Sequence, residues 1–223
     1  MGVFSFLQTM PHARVAGDLI WLTQWAKLNG VVTQVRDRLD ENRFALVVGH
    51  FPDTLARVEQ ELTAAGVPND FHDGRLSRKD VEAVIDQSMG RKVLLVLTTS
   101  LISEDFPQEI NDKLVGLAII VAERHFLREK DDAIFSFACT LGRPFEIAFH
   151  LSLHDPLIKH FTGKRVENEL IRLGMRESEA SESKMVARRI KGAQAQLSYR
   201  ILSDRAADSA EEWLRLNLPD MAF

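Results

Sequence analysis

Residues 44–66 read FALVVGHFPDTLARVEQELTAAG. The five apolar residues Phe44 to Val48 run without a break, as expected of a strand buried on both faces. Pro52 then stands at a first helical position, where a missing N–H costs nothing. Leu55, Val58, Glu59 and Leu62 follow at helical spacing, and Gly66 marks the stop. A buried strand leading straight into a helix is half of a βαβ crossover.

The same grammar extends outward in both directions. Val93 to Leu97 (VLLVL) and Leu117 to Val121 (LAIIV) are two more short apolar runs. Ser77 and Asp80 give a capping-box-like start to a helix through Val81, Val84 and Ile85, stopped by Gly90. Glu129 to Phe137 reads as a helix, and Phe145 to Leu153 alternates as a strand. Upstream, Asp18 to Arg38 carries Leu19, Leu22, Trp25, Ala26, Val32 and Val35 at helical spacing and is predicted to be one helix. Buried strands separated by helices predict a parallel sheet, and the right-handed crossover rule makes it a three-layer α/β sandwich. The last quarter changes character. Asp155 to Phe161 and Val166 to Leu173 read as short helices. One long helical stretch without strand signal runs from about Ser181 toward Trp213 and Leu216. The expected division is therefore an α/β domain over residues 1–162 and a packed helical extension over 163–223.

Composition narrows the function. The chain has 223 residues, 45% hydrophobic and 27% charged, which is the profile of an ordinary globular protein. A formal net charge of −4 weighs against nucleic-acid binding, which needs a basic field. The single cysteine, Cys139, excludes an internal disulfide and a CxxC metal site, so a reducing, cytoplasmic setting is expected. The first ten residues lack the basic region of a secretory signal and suit a strand or docking segment. The longest apolar runs are too short to span a bilayer.

The residues alone show no catalytic constellation. The phosphate-cradling GxxxxGK[ST] loop is absent; the one Gly-Lys pair, Gly163-Lys164, is followed by Arg165. His150 and His154, four apart, would share a strand face at about 13 Å, too far for one ion. No metal is expected there. His72 and Asp73 read as a solvated turn, and Cys139 as a buried inert thiol. The pairs Glu104-Asp105 and Asp131-Asp132 read as solvated loop or cap residues.

Several ordered stretches nevertheless resemble SecA, the ATPase motor of bacterial protein export. Asp18-Leu-Ile-Trp-Leu-Thr23 with Ala26-Lys-Leu-Asn29 resembles its D-L-V-Y-x-T…A-K-F-N. Leu46-Val-Val-Gly49 is similar to V-L-V-G, and 116–125 (GLAIIVAERH) to G-L-H-V-I-G-T-E-R-H. Residues 149–155 (FHLSLHD) resemble F-Y-L-S-L-E-D. Leu173-Gly-Met175, Glu182-Ser-Lys-Met-Val-Ala-Arg188 and Ala193-Gln194 resemble the start of the scaffold helix. The likeness covers residues 18 to about 200 and fades beyond Tyr199. It implies a RecA-like fold, the second nucleotide-binding domain of SecA, followed by the scaffold start.

The departures from that pattern imply lost catalysis. Where the family has A-G-R-G-T-D-I, residues 98–107 read TTSLISEDFP, bulkier and acidic at Glu104 and Asp105. Of the arginine-finger segment only Gly142-Arg143 remains, with Phe137, Ala138 and Cys139 in place of the rest. The lobe that would carry the P-loop is not among these residues. The resemblance thus implies a degenerate, stand-alone module that is not an enzyme and holds no cofactor, with ATP engaged only if a partner supplies the P-loop lobe. Its vestigial nucleotide-contacting residues would be Gly49, Thr98, Thr99, Glu123, Arg124 and Arg143. Glu123-Arg124-His125 also suits a salt-bridged structural corner. The expected partner is a protein: SecA, the Sec translocon or an exported protein. Met185, Arg188, Ile190 and Leu197 on the long helix are the candidate interaction residues. Their apolar stripe is expected to cover the sheet domain or a short helix, with a homodimer as the alternative.

Overall fold

The computed structural model describes residues 13–88, 92–103, 110–111, 113–161, 175–176, 178–201 and 203–219. The first ten residues, the helix expected over 166–173 and the Glu104-Asp105 pair lie outside these. The elements in chain order are β1 (Ala13–Trp21), α1 (Gln24–Asp40), β2 (Phe44–Gly49), α2 (Pro52–Ala64) and β3 (Asn69–Phe71). Next come α3 (Arg78–Ser88), β4 (Val93–Leu97), a 3₁₀ turn at Thr98–Ser100, β5 (Leu117–Val121), α4 (Arg128–Thr140) and β6 (Phe145–Ser152). Then follow α5 (Pro156–Phe161), β7 (Ser181–Glu182), α6 (Lys184–Arg200) and α7 (Ala210–Asn217).

The strands form one seven-stranded sheet in the order β3-β4-β2-β5-β6-β1-β7. Every pairing is parallel except that of β7 with β1. The uninterrupted apolar run of β2 is explained by its central place. Phe44, Leu46 and Val48 pack on one face with Val81 and Ile85 of α3 and Ile134, Phe137 and Ala138 of α4. Ala45 and Val47 face the other way, onto Val31 and Val35 of α1 and Leu55, Val58 and Leu62 of α2. Successive side chains of a strand point to opposite faces, so a strand between two helical layers has no position left for a polar residue. This is the three-layer sandwich, and the fold is RecA-like α/β.

A third apolar cluster closes the end of the sheet where the parallel strands finish. Ile20, Phe51, Phe126, Leu151 and Leu157 meet Val186, Ile190, Ala193 and Leu197 of α6 and Trp213 and Leu214 of α7. Burying each large aliphatic side chain contributes about 1.5–3 kcal/mol. The apolar stripe of α6 is thereby an intramolecular face. Ile190 and Leu197 are each 1% exposed, so these two positions are spent on packing within the chain. Met185 and Arg188 stay at the surface.

Three sequence-based expectations change. The helix predicted from Asp18 begins only at Gln24, because Thr23 caps it, its hydroxyl accepting the Ala26 N–H at 3.1 Å. Residues 13–21 instead form β1, paired in parallel along β6. The single long C-terminal helix is two helices. Ser209 starts the second by accepting the Glu212 N–H at 3.2 Å, a Ser-x-x-Glu start readable in the sequence. Just ahead of α6, Ser181 and Glu182 pair with Ile20 and Leu19 as a short strand. No described helix is long and apolar enough to cross a membrane.

Candidate functional site at the strand ends

Ligands of open parallel sheets bind beyond the carboxyl ends of the strands. Gly49 ends β2, Thr98 and Thr99 follow β4, and Glu123 and Arg124 follow β5. The topology therefore brings these five predicted residues to one edge of the sheet. Arg143 is not with them. It precedes β6, at the opposite edge, where its Nη1 donates to the Val115 carbonyl at 3.3 Å. A strand of five residues rises about 17 Å, so Arg143 cannot share a phosphate with that group. The left-handed backbone of Gly142, with φ of 63°, ends α4 and turns the chain into β6 there.

At the strand-end edge the carboxylates and both Arg124 amino groups are engaged internally, while the buried Arg124 Nε has no protein partner. One Glu123 carboxylate oxygen accepts the His50 and Phe51 N–H groups at 3.0 and 3.1 Å. The other accepts the Thr54 hydroxyl at 2.8 Å. Glu123 thus caps the start of α2, and burial pushes its pKa up. The Arg124 guanidinium donates to Asp18 at 2.6 Å and Asp131 at 3.1 Å, and lies 3.4 Å over the Phe149 ring. Burial opposes its charge, but the two carboxylates outweigh that and raise its pKa. Gly49 has a packing reason for its missing side chain: a Cβ there would sit 2.6 Å from Leu55 Cγ of α2.

The centre of this network is Asp131, which the sequence suggested to be a solvated cap residue. It is 1% exposed. Its Oδ1 lies 2.9 Å from His50 Nε2 and accepts the His125 N–H at 3.1 Å. Its Oδ2 accepts from Arg124 at 3.1 Å and from Gln194 of α6 at 2.7 Å. Burial works against the charge, yet Arg124 and His50 hold the pKa at about 2. Gln194 also donates to the His125 carbonyl at 2.8 Å, so α6 is pinned to the sheet edge by polar as well as apolar contacts. His125 itself is driven down to about 3 by burial and by His50. Lys27 and Asp155 form a second buried pair at 2.8 Å.

Above this edge lies a cavity of about 520 Å³. One wall is the sheet, with His50, Phe51, Thr98, Thr99 and His125; the other is the tail, with Asp204, Asp208, Glu212 and Trp213. Trp213 stacks on Phe126 at 4.7 Å between ring centroids and meets His125 edge-on at 5.2 Å. Lys130, also on the wall, pairs with Asp204 at 2.6 Å. Sequence reasoning missed His50, Asp131, Gln194 and Trp213, whose meeting depends on the third dimension. The Ser209 cap was the one legible hint that the tail turns back. Elsewhere, β6 ends at Ser152, so His150 and His154 do not share a strand. His150 is buried between Trp21 and Gln34, its Nδ1 accepting the Trp21 indole N–H at 3.1 Å. Among the described residues no group of His, Cys, Asp and Glu could hold a metal ion.

A parallel sheet clad by helices on both faces, with its polar groups gathered at the strand ends, defines a RecA-like domain. The family model for the SecA P-loop domain matches residues 103–178. The protein translocase subunit SecA of Campylobacter lari is 30% identical over 198 residues, covering 87% of this chain and 23% of that protein. SecA of Campylobacter concisus is 31% identical over 196 residues, 86% of this chain and 22% of that one. The chain is a SecA-like domain and spans less than a quarter of the length of these curated relatives. Two solved structures are also similar. One is the C-terminal part of the Fun30 ATPase domain, with 16% identity and a TM-score of 0.43, covering 78% of this chain and 54% of that one. The other is the E. coli DEAD-box protein SrmB, with 15% identity and a TM-score of 0.43, covering 66% and 80%.

Proposed function

We propose that this SecA-like domain is a cytoplasmic protein-interaction module linked to protein export, and that it does not hydrolyse ATP. One observation carries the reading: the charged groups of the strand-end edge are paired with one another and roofed by the chain's own tail. Both Arg124 amino groups are bound to carboxylates. Glu123 is spent on the start of α2. A triphosphate entering the cavity would meet Asp204, Asp208 and Glu212, with Lys130 already paired to Asp204. Like charges a few ångströms apart repel by several kcal/mol where water is partly excluded. The alternative, one lobe of a split ATPase lending Arg143, is disfavoured because Arg143 sits at the opposite edge with its guanidinium turned to Val115. The partner is SecA, the translocon or an exported protein, met through surface positions such as Met185 and Arg188.

Titration calorimetry with Mg·ATP is expected to show no heat of binding, alone or with a purified P-loop lobe of SecA. Binding tighter than 100 μM in either case defeats the reading. Affinity capture with immobilised chain is expected to retain purified SecA, translocon or a secretory precursor; retention of none of them removes the link to export.

A further inference from the structure

Two hydrogen bonds in the network form a relay that the interaction reading does not use. Asp131 Oδ1 lies 2.9 Å from His50 Nε2, and His50 Nδ1 lies 2.9 Å from the Thr98 hydroxyl oxygen. Asp131 is ionised, pinned on its other oxygen by Arg124 and Gln194. Nε2, facing a carboxylate, therefore carries the ring proton, and Nδ1 is left to accept. Thr98 is the first residue after β4 and lines the 520 Å³ cavity together with His50. Carboxylate, imidazole and hydroxyl in series, opening on a cavity, is the geometry that activates a hydroxyl nucleophile on unrelated folds.

We infer that Thr98 is an activated nucleophile and that the cavity accepts small neutral or cationic carboxylic esters. Leu97, Phe51, Pro52 and Ala207 offer an apolar wall for an acyl group, and Asp208 and Glu212 opposite disfavour an anionic one. Thr98 Oγ1 attacks the ester carbonyl carbon, a C–O bond forms, and the hydroxyl proton passes to His50 Nδ1. The resulting imidazolium is stabilised by Asp131. Collapse breaks the original ester C–O bond, and the alcohol leaves with the proton from His50. Water, the co-substrate, then attacks the acyl-threonine, again giving its proton to His50. The acyl carbon–Oγ1 bond then breaks, His50 Nδ1 returns the proton to Oγ1, and Thr98 is regenerated as the carboxylic acid leaves. The hydroxyl has a second acceptor, the Gly49 carbonyl at 3.1 Å, which holds it at the edge of β2 between turnovers.

The test uses the full chain with a fluorophosphonate probe, whose P–F bond breaks as the Thr98 oxygen bonds to phosphorus. It also uses p-nitrophenyl acetate as the ester. The expected result is a probe adduct mapped by mass spectrometry to Thr98. Adduct and ester hydrolysis should fall at least tenfold in Thr98→Val and His50→Gln and persist in Thr98→Ser. Should Thr98→Val fail to fold by circular dichroism, the map on the unaltered chain decides alone. No adduct at Thr98, or hydrolysis unchanged in a folded Thr98→Val variant, overturns the inference. Neither outcome bears on ATP binding or on export.

Discussion

Replacing Trp213 by alanine tests whether the tail is structurally part of the sheet domain. The indole is 1% exposed, stacks at 6° on Phe126, and donates its N–H to Asp204 at 2.8 Å. A buried tryptophan removes roughly 200 Å² from water. At about 25 cal/mol per Å² that is some 5 kcal/mol. Measured truncations of this kind cost about 3–5 kcal/mol, because neighbours relax partly into the space. Here the ring neighbours are Phe126 and His125, within an apolar cluster that also holds Leu214 and Leu218. The expected loss is therefore about 4 kcal/mol. For a chain of this length it lowers the thermal midpoint by roughly 8–16 °C. Urea unfolding followed by far-ultraviolet circular dichroism reads the same loss as a midpoint drop of more than about 1 M. A loss under 1 kcal/mol, with the α7 amides still protected from hydrogen exchange, would refute the packing argument and with it the roofed edge.

Acid stability gives a second check. Asp131 has a folded pKa of about 2 against an ordinary 3.8, so its contribution is complete above pH 3.8 and lost as pH falls through 2. By linkage that is about 2 kcal/mol. His125 and His150 are held near 3 against 6.5, both chiefly by burial. Their neutral forms stabilise the fold fully above pH 6.5, and that stability drains away as pH falls toward 3. Urea midpoints should thus decline from pH 7.5 to 5 and drop steeply below 4; a flat profile down to pH 5 contradicts the buried neutral histidines. Gly30→Ala should cost about 1–3 kcal/mol by overpacking, since its Cβ would stand 2.1 Å from the Trp21 ring. A thermal midpoint within 1 °C of the unaltered chain would show that Trp21 yields easily.

The central sheet was legible because β2, β4 and β5 are buried on both faces, and a sequence cannot hide an unbroken apolar run. β1 was not, because it lies between β6 and the two-residue β7. Its half-covered residues alternate weakly, and Leu19, Leu22, Trp25 and Ala26 happen to continue the spacing of α1. The stripe crosses Thr23, whose hydroxyl caps α1 and ends the extended segment. At the site, Gly49, Thr98, Glu123 and Arg124 were found through resemblance, and the fold does gather them. What resemblance could not supply was their occupation. Whether an arginine faces phosphate or two carboxylates depends on Asp18 and Asp131, distant in sequence by 106 and 7 residues from Arg124. Arg143 looked kindred by motif, but its place before β6 rather than after it sets it across the sheet.

Cys139 sits in the last turn of α4, 3% exposed within the apolar cluster that α4 shares with β6, and burial pushes its thiol pKa up. It is the chain's single sulfhydryl. A thiol-reactive reagent can reach it only when the C-terminal end of α4 opens from the sheet, so the alkylation rate becomes a clock for that opening. The slower the label enters relative to an exposed thiol, the rarer the open form. Without any engineered probe, the molecule reports how often its own interior meets the solvent, and whether a bound partner or a trimmed tail changes that frequency.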